Sequence, residues 1–371
     1  MNSEKLANLL DPLTKPARLV EKLDKGRVRC LACAHRCTLK PGQRGICKVR
    51  FNQDGELRVP WGYVAAANVD PIEKKPFMHF LPGANALTIG MLGCNFHCDF
   101  CQNWLSSQAL RDPASKSCGK YVQKFSPENL VAYAQRYKAD IIASSYNEPL
   151  ITSEWAVDIF KLAKKVGLRC VYVSNGYATP EVLHFLQPYL DGFKIDLKCM
   201  SDQHYRELGG SLQIVLDTIE LAHELGMWVE VVTLVIPGFN DSNEELWEIA
   251  RYLVSVSLDI PWHVTAFYPT YKRQDTPPTS ASILQRAADI GQEAGLHYVY
   301  AGNLPGRVGS LENTYCPSCN TKLIERSGYT INSYNLTAGG TCPKCGEKIA
   351  GVWTDKPQSV HTGGYGFPRS I

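Results

Sequence analysis

The sequence predicts an α/β fold: a partial (β/α)6 TIM-like barrel, an N-terminal Cys-rich metal-binding segment and a C-terminal zinc-ribbon-like extension. Three observations predict it. From about residue 86, short β-rich apolar runs alternate with helical stretches, the pattern of a parallel sheet with helical crossovers. Eleven of the 14 cysteines fall into three close-spaced clusters, as metal ligands do. The middle cluster follows directly on the first strand signal, where a barrel carries its chemistry.

The strand signals are residues 86–92, 140–145, 169–174, 191–197, 227–235 and 262–267, with a further run at 297–301 as a candidate seventh. A helix is expected from Ser126 with Pro127 just inside it. A second carries Trp155, Ile159, Leu162 and Val166 on one face and stops at Gly167. Thr179-Pro180 opens a third, and Asp241 with Glu244 reads as a capping box for a fourth. Six such units make less than a full eight-stranded barrel. The expected organisation is residues 1–80 as the Cys-rich segment and approach, 81–310 as the partial barrel, 311–355 as the ribbon-like module and 356–371 as a loose tail rich in Gly, Pro and Ser.

Composition narrows the function classes. A net charge of +3 over 371 residues gives no basic stripe, so nucleic acid is not an expected partner. No apolar run reaches spanning length and no apolar leader opens the chain, so a cytoplasmic protein without membrane contact is expected. In a reducing compartment close-spaced cysteines read as metal ligands rather than disulfides. Cys118, Cys170 and Cys199 stand alone and read as small core residues.

Cys94, Cys98 and Cys101 form C-x3-C-x2-C. Three thiolates on one loop suit a [4Fe-4S] cluster and leave one iron without a cysteine. That iron is open to an amino-carboxylate chelate such as S-adenosylmethionine (SAM). The competing reading is a zinc site completed by His97. Cys316, Cys319, Cys342 and Cys345 form C-x2-C-x22-C-x2-C, the spacing of a zinc ribbon. Cys30, Cys33, Cys37 and Cys47, with His35 as a spare ligand, suit either Zn²⁺ or a second [4Fe-4S] cluster.

The segment Gly93-Cys94-Asn95-Phe96-His97-Cys98-Asp99-Phe100-Cys101 resembles the radical SAM superfamily motif C-x3-C-x-aromatic-C. Four strand-end motifs agree. Tyr146-Asn147-Glu148-Pro149 is similar to the loop that binds the SAM amino group, with Tyr146 and Asn147 in place of the usual glycines. Ser174-Asn175-Gly176 is similar to the loop near the SAM ribose. Asp196-Leu197-Lys198 and Ile236-Pro237-Gly238 resemble the glycyl-radical activating enzymes. From Cys30 to about Trp353 the chain resembles a narrower group, the radical SAM component of the AmmeMemoRadiSam system, related to pyruvate formate-lyase activating enzymes.

The resemblance implies a radical SAM enzyme that cleaves SAM reductively and abstracts a hydrogen atom from a small-molecule or protein substrate. It needs a low-potential electron donor of flavodoxin or ferredoxin type. It implies cofactor contacts at Phe100, Asn147, Glu148, Ser174, Asn175, Asp196 and Lys198, with Asp196 and Lys198 close to the substrate channel. Near the barrel mouth, His263 is a candidate proton donor or acceptor, with Tyr268 and Lys272 beside it. Asp70, Glu73, Lys74 and Lys75 read equally as entrance charges or as a solvated linker. A glycyl-radical activase is the alternative within the class. An iron–sulfur electron carrier or metal-stabilised binding module is the alternative outside it.

Overall fold

The computed structural model describes residues 3–363 and 369–370. Its centre is a nine-stranded sheet. In chain order the strands are β1 (Ala66–Pro71), β2 (Asn85–Gly90), β3 (Ile141–Ser144), β4 (Arg169–Ser174), β5 (Gly192–Asp196), β6 (Trp228–Val235), β7 (Trp262–Ala266) and β8 (Val299–Gly302), closed at one edge by Arg369–Ser370. Strands β2 to β8 run parallel to their neighbours in chain order. Strand β1 runs antiparallel to β2, and Arg369–Ser370 antiparallel to β1.

The crossovers are helices α1 (Pro127–Arg136), α2 (Ser153–Lys165), α3 (Pro180–Leu186), α4 (Asp202–Leu208), α5 (Leu212–Glu224), α6 (Asn243–Val256) and α7 (Ala281–Glu293). Six strand–helix units are therefore followed by a seventh parallel strand, and the run at 297–301 belongs to it. Parallel strands buried on both faces read as apolar runs, which is why the sequence located them. Ser126 and Thr179 cap α1 and α3 through their side chains, each with Pro at the first helical position. One expectation is corrected. Ser242, not Asp241, caps α6: its side chain accepts from Glu245 N, while Asp241 Oδ1 accepts from Gly238 N.

The N-terminal segment does not stand apart. Leu6, Leu10, Val28 and Leu57 share one apolar core with the barrel helices. Arg50 makes two 2.8 Å hydrogen bonds to the Glu154 carboxylate on α2, both side chains only 2% exposed. A smaller apolar group around Phe77, Phe80, Ile141 and Val171 fills the barrel base. The C-terminal hairpin, β9 (Thr314–Tyr315), β10 (Lys322–Ser327) and β11 (Thr330–Tyr334), has its own core with Tyr298, Tyr300 and Met78. The expected loose tail is partly structured. Val360 packs on that second core, Gly363 N donates to Ile331 O at 2.7 Å, and Arg369–Ser370 pairs with β1. Residues 364–368 and 371 lie outside the described residues.

Candidate active site and metal centres

The loop after β2 turns at Gly93, whose φ is +96°. A Cβ there would stand 2.9 Å from the Val49 side chain and 3.0 Å from Cys47 O, so only glycine fits. Asn147 holds the loop: its Oδ1 accepts from Met91 N at 3.0 Å and its Nδ2 donates to Gly93 O at 3.3 Å. Cys94 Sγ accepts from Phe96 N at 3.4 Å, and Cys101 Sγ lies 3.2 Å from Ser107 Oγ. Burial pushes all three thiols up, Cys98 to about 12. Thiols in that state deprotonate when a metal takes the proton's place.

His97 is exposed and its ring lies over Gly209, where a Cβ would come within 2.7 Å. Among the described residues, the three sulfurs do not form a group lying mutually within 4.8 Å. That disfavours a closed tetrahedral zinc site, which draws its sulfurs to about 3.8 Å, and three soft thiolates with one iron left open suit a cubane. The donor set fits a cluster.

Around these thiols the strand ends converge. Glu148 joins two loops: its carboxylate accepts from Ser174 Oγ at 2.7 Å, Asn175 N at 2.8 Å and Leu150 N at 3.0 Å. Burial pushes Glu148 up to about 7 against those hydrogen bonds. Asn175 Nδ2 donates to Asn95 Oδ1 at 2.7 Å and reaches Cys94 Sγ at 4.0 Å. On the other side Asp196 pairs with Lys194, and at 3.1 Å with Lys198. Burial opposes its ionisation, but the two ammonium groups hold Asp196 at about 2. The same carboxylate and the Cys98 sulfur push Lys198 up despite burial. Phe100 packs edge-on against Phe239, and the Arg273 guanidinium lies 5.4 Å and 4.8 Å from the two ring centres.

Sequence reasoning missed Lys194 and Arg273. Lys194 carried a signal, since it stands two residues before Asp196 and shares its face of β5. Arg273 donates from Nε to Asp99 Oδ2 at 3.0 Å, across 174 residues, with no local signal. Also unforeseen is a trio of Cys199, His204 and Glu245 whose ligand atoms lie mutually within 4.8 Å. Cys199 is buried, as are Cys118 and Cys170.

A cavity of about 360 Å³ opens beside the barrel, lined by Glu73, Met78, His263, Thr265, Glu312 and Tyr329 among others. His263 Nε2 lies 2.7 Å from Glu230 Oε2 and stacks on Tyr300. Glu73 is 1% exposed, and its Oε2 has no hydrogen-bond partner among the described residues. Tyr268 and Lys272 do not line this cavity. Tyr268 is exposed and donates to Asn303 O, and Lys272 N donates to Asp99 O. Asp70 and Lys75 are not a solvated linker: both are buried and paired at 2.7 Å, with Tyr146 donating to Asp70 at 2.8 Å.

The C-terminal quartet is drawn together. Cys316, Cys319, Cys342 and Cys345 lie mutually within 4.8 Å, with sulfur pairs at 3.5 Å and 3.7 Å. Its two halves repeat one backbone pattern. Cys316 O accepts from Asn320 N and Cys342 O from Gly346 N, while Cys316 N donates to Thr321 O and Cys342 N to Glu347 O.

Three free thiols on a loop at the strand ends of a partial barrel, with ion pairs and carboxylates facing them, define an iron–sulfur enzyme of the SAM-cleaving class. A family model and relatives by sequence agree. The family model "Radical SAM superfamily" matches residues 88–253. Uncharacterized protein MJ0808 of Methanocaldococcus jannaschii is 38% identical over 90% of this chain and 98% of its own length. The pyruvate formate-lyase-activating enzyme of Clostridium pasteurianum is 23% identical over 44% of this chain and 67% of its own. The crystal structure of a radical SAM methyltransferase from Sphaerobacter thermophilus aligns with TM-score 0.46 and 15% identity, over 82% of this chain and 83% of that one. The chain belongs to the radical SAM superfamily and is an enzyme. No helix among the described residues is long and apolar enough to cross a membrane.

Proposed function

We propose that this enzyme abstracts a hydrogen atom from a substrate seated in the cavity between Glu73 and His263. The observation that carries the reading is the meeting of Cys94, Cys98 and Cys101 with Glu148, Asn175, Asp196 and Lys198 at the strand ends. When bound, the cluster and SAM supply one electron and a 5′-deoxyadenosyl radical. Cys94, Cys98 and Cys101 would hold three irons and leave the fourth to SAM. Glu148, Ser174 and Asn175 wall the site beside Cys94. Asn147 fixes the loop, and Phe100 with Asp196 and Lys198 lines the other side. Burial of Cys98, Phe100, Glu148, Ser174 and Asn175 limits water on one side of the site, as radical chemistry requires, while Asp196 and Lys198 stay part-exposed. His263, held by Glu230 at 2.7 Å, lines the cavity and is the group placed to move a proton there. The C-terminal quartet takes Zn²⁺ as a structural ion, and a flavodoxin- or ferredoxin-type donor supplies the electron.

A glycyl-radical activase is the second reading. Asp196-Leu197-Lys198 and Ile236-Pro237-Gly238 favour it, as do relatives named activating enzymes. The resemblance to the AmmeMemoRadiSam component names no substrate and does not choose between the two readings. The test is anaerobic reconstitution with iron and sulfide, then SAM and dithionite. Wild-type protein is expected to form 5′-deoxyadenosine, and Cys98→Ala to form at least a hundredfold less. Equal yields from both would sink the reading.

A further inference from the structure

We infer that Cys30, Cys33, Cys37 and Cys47 hold a second [4Fe-4S] cluster rather than Zn²⁺, packed against the backbone of the first. Four free cysteines, three of them buried, fall here on neighbouring turns, with Cys30 N donating to Cys37 O at 3.0 Å and a Cβ on Gly45 standing 3.6 Å from Cys37 Sγ. Yet among the described residues no three of these sulfurs lie mutually within 4.8 Å, whereas the whole C-terminal quartet does. Zn–S bonds of about 2.3 Å in a tetrahedron force sulfurs to about 3.8 Å apart. The N-terminal set, like Cys94, Cys98 and Cys101, is not drawn into that tight arrangement among the described residues.

Backbone geometry points the same way. Both C-terminal half-sites use a hydrogen bond from the residue four after the first cysteine back to that cysteine's carbonyl. At Cys30-Leu31-Ala32-Cys33 that bond is absent: Ala34 N donates to Tyr177 O at 3.1 Å, and Cys30 N donates to Cys37 O at 3.0 Å. The chain is not wound as a zinc knuckle. Arg36 and Lys48, each next to a ligand cysteine, hold left-handed conformations at φ +43° and +67°. Non-glycine residues hold such φ values only where the surroundings fix them.

A third observation concerns a donor. Arg50 Nε is buried and has no hydrogen-bond partner among the described residues, although its two terminal nitrogens are satisfied by Glu154 and Ile151 O. Cys30 and Cys47 are the cysteines whose charge acts most strongly on this guanidinium. An orphan N–H beside thiolates suits the sulfur-rich surface of a cluster, whose potential such donors tune.

The site also abuts the first. Arg111 Nη2 bridges Ile46 O at 2.7 Å and Cys94 O at 3.2 Å, His35 Nε2 lies 3.0 Å from Asn95 O, and Cys47 O closes on Gly93. His35 is thereby engaged with the central loop.

The test counts metals in the full chain purified anaerobically and reconstituted with iron and sulfide. Wild-type protein should hold about eight iron and one zinc. A Cys94→Ala, Cys98→Ala, Cys101→Ala variant should keep about four iron and give a one-electron cluster signal by electron paramagnetic resonance after dithionite. A Cys30→Ser, Cys33→Ser variant should lose half the iron and no zinc. Two zinc ions in wild-type protein, one of them lost with Cys30 and Cys33 while the iron stays, would overturn the inference. The wild-type count alone excludes two zinc ions, and iron lost with Cys30 and Cys33 places the second cluster there. Iron lost with Cys94, Cys98 and Cys101 is scored separately, so a failed SAM assay leaves this result readable.

Discussion

Glu73 shows how one buried carboxylate carries information about the site. Burial pushes it up to about 6 despite Arg326 nearby, from an ordinary 4.5. Its Oε1 accepts from Gly83 N at 2.9 Å, and Arg326 Nε stands 3.9 Å off. A carboxyl whose folded pKa is raised favours the folded state fully below about 4.5, and loses that contribution as pH rises through about 6. Roughly 1.5 pH units correspond to about 2 kcal/mol. Glu73→Gln keeps an oxygen for Gly83 N and removes the charge. It is expected to stabilise the protein at pH 8 by up to about 2 kcal/mol and to flatten the stability profile between pH 4.5 and 6.5. Urea unfolding at several pH values measures this, and an unchanged slope would show that Glu73 does not titrate there. A buried acid kept at such cost at a cavity wall fits ligand recognition better than folding.

At the scale of elements, the sequence located the parallel strands because strands covered on both faces read as β-rich, mostly apolar runs, even where a buried Lys194, Glu230 or His263 interrupts them. The strand-end motifs were legible through the family resemblance; turn-forming pairs mark only two of them, Asn175-Gly176 and Pro237-Gly238. Capping was harder. Asp241-Ser242-Asn243-Glu244-Glu245 contains two overlapping boxes, Asp with Glu244 and Ser with Glu245, and local sequence cannot choose between them. The structure chooses because Gly238 N claims the Asp241 carboxylate. Ser242→Ala is accordingly expected to cost about 1 kcal/mol of stability. Thermal unfolding of the two alanine variants compares them, and a larger loss from Asp241→Ala would contradict the assignment. Asp70 to Lys75 was illegible for the opposite reason. Adjacent charges look solvated, and only the packing of β1 against Tyr146 shows that Asp70 and Lys75 are buried and paired.

For the whole molecule, the question is what fastens the N-terminal segment to the barrel. The two lie far apart in sequence: Arg50 and Glu154 are separated by 104 residues, with nothing local to announce the pair. Arg50 also donates to Ile151 O at 3.1 Å, Glu154 accepts from Leu19 N at 3.2 Å, and Arg18 donates to Glu154 O. One ion pair thus ties three stretches of chain together under a shared apolar core. Removing one partner of a buried pair leaves the other charge without compensation, which costs about 3–5 kcal/mol. Arg50→Met is therefore expected to lower stability by that amount, while Arg50→Met with Glu154→Leu recovers a large part of it. Recovery should be incomplete, because Leu19 N loses its acceptor in the double variant. The comparison is made by urea unfolding with iron counted on the same samples, so that loss of metal is not mistaken for loss of the ion pair. A double variant as unstable as Arg50→Met alone would mean that the guanidinium acts on the cysteines and not through Glu154.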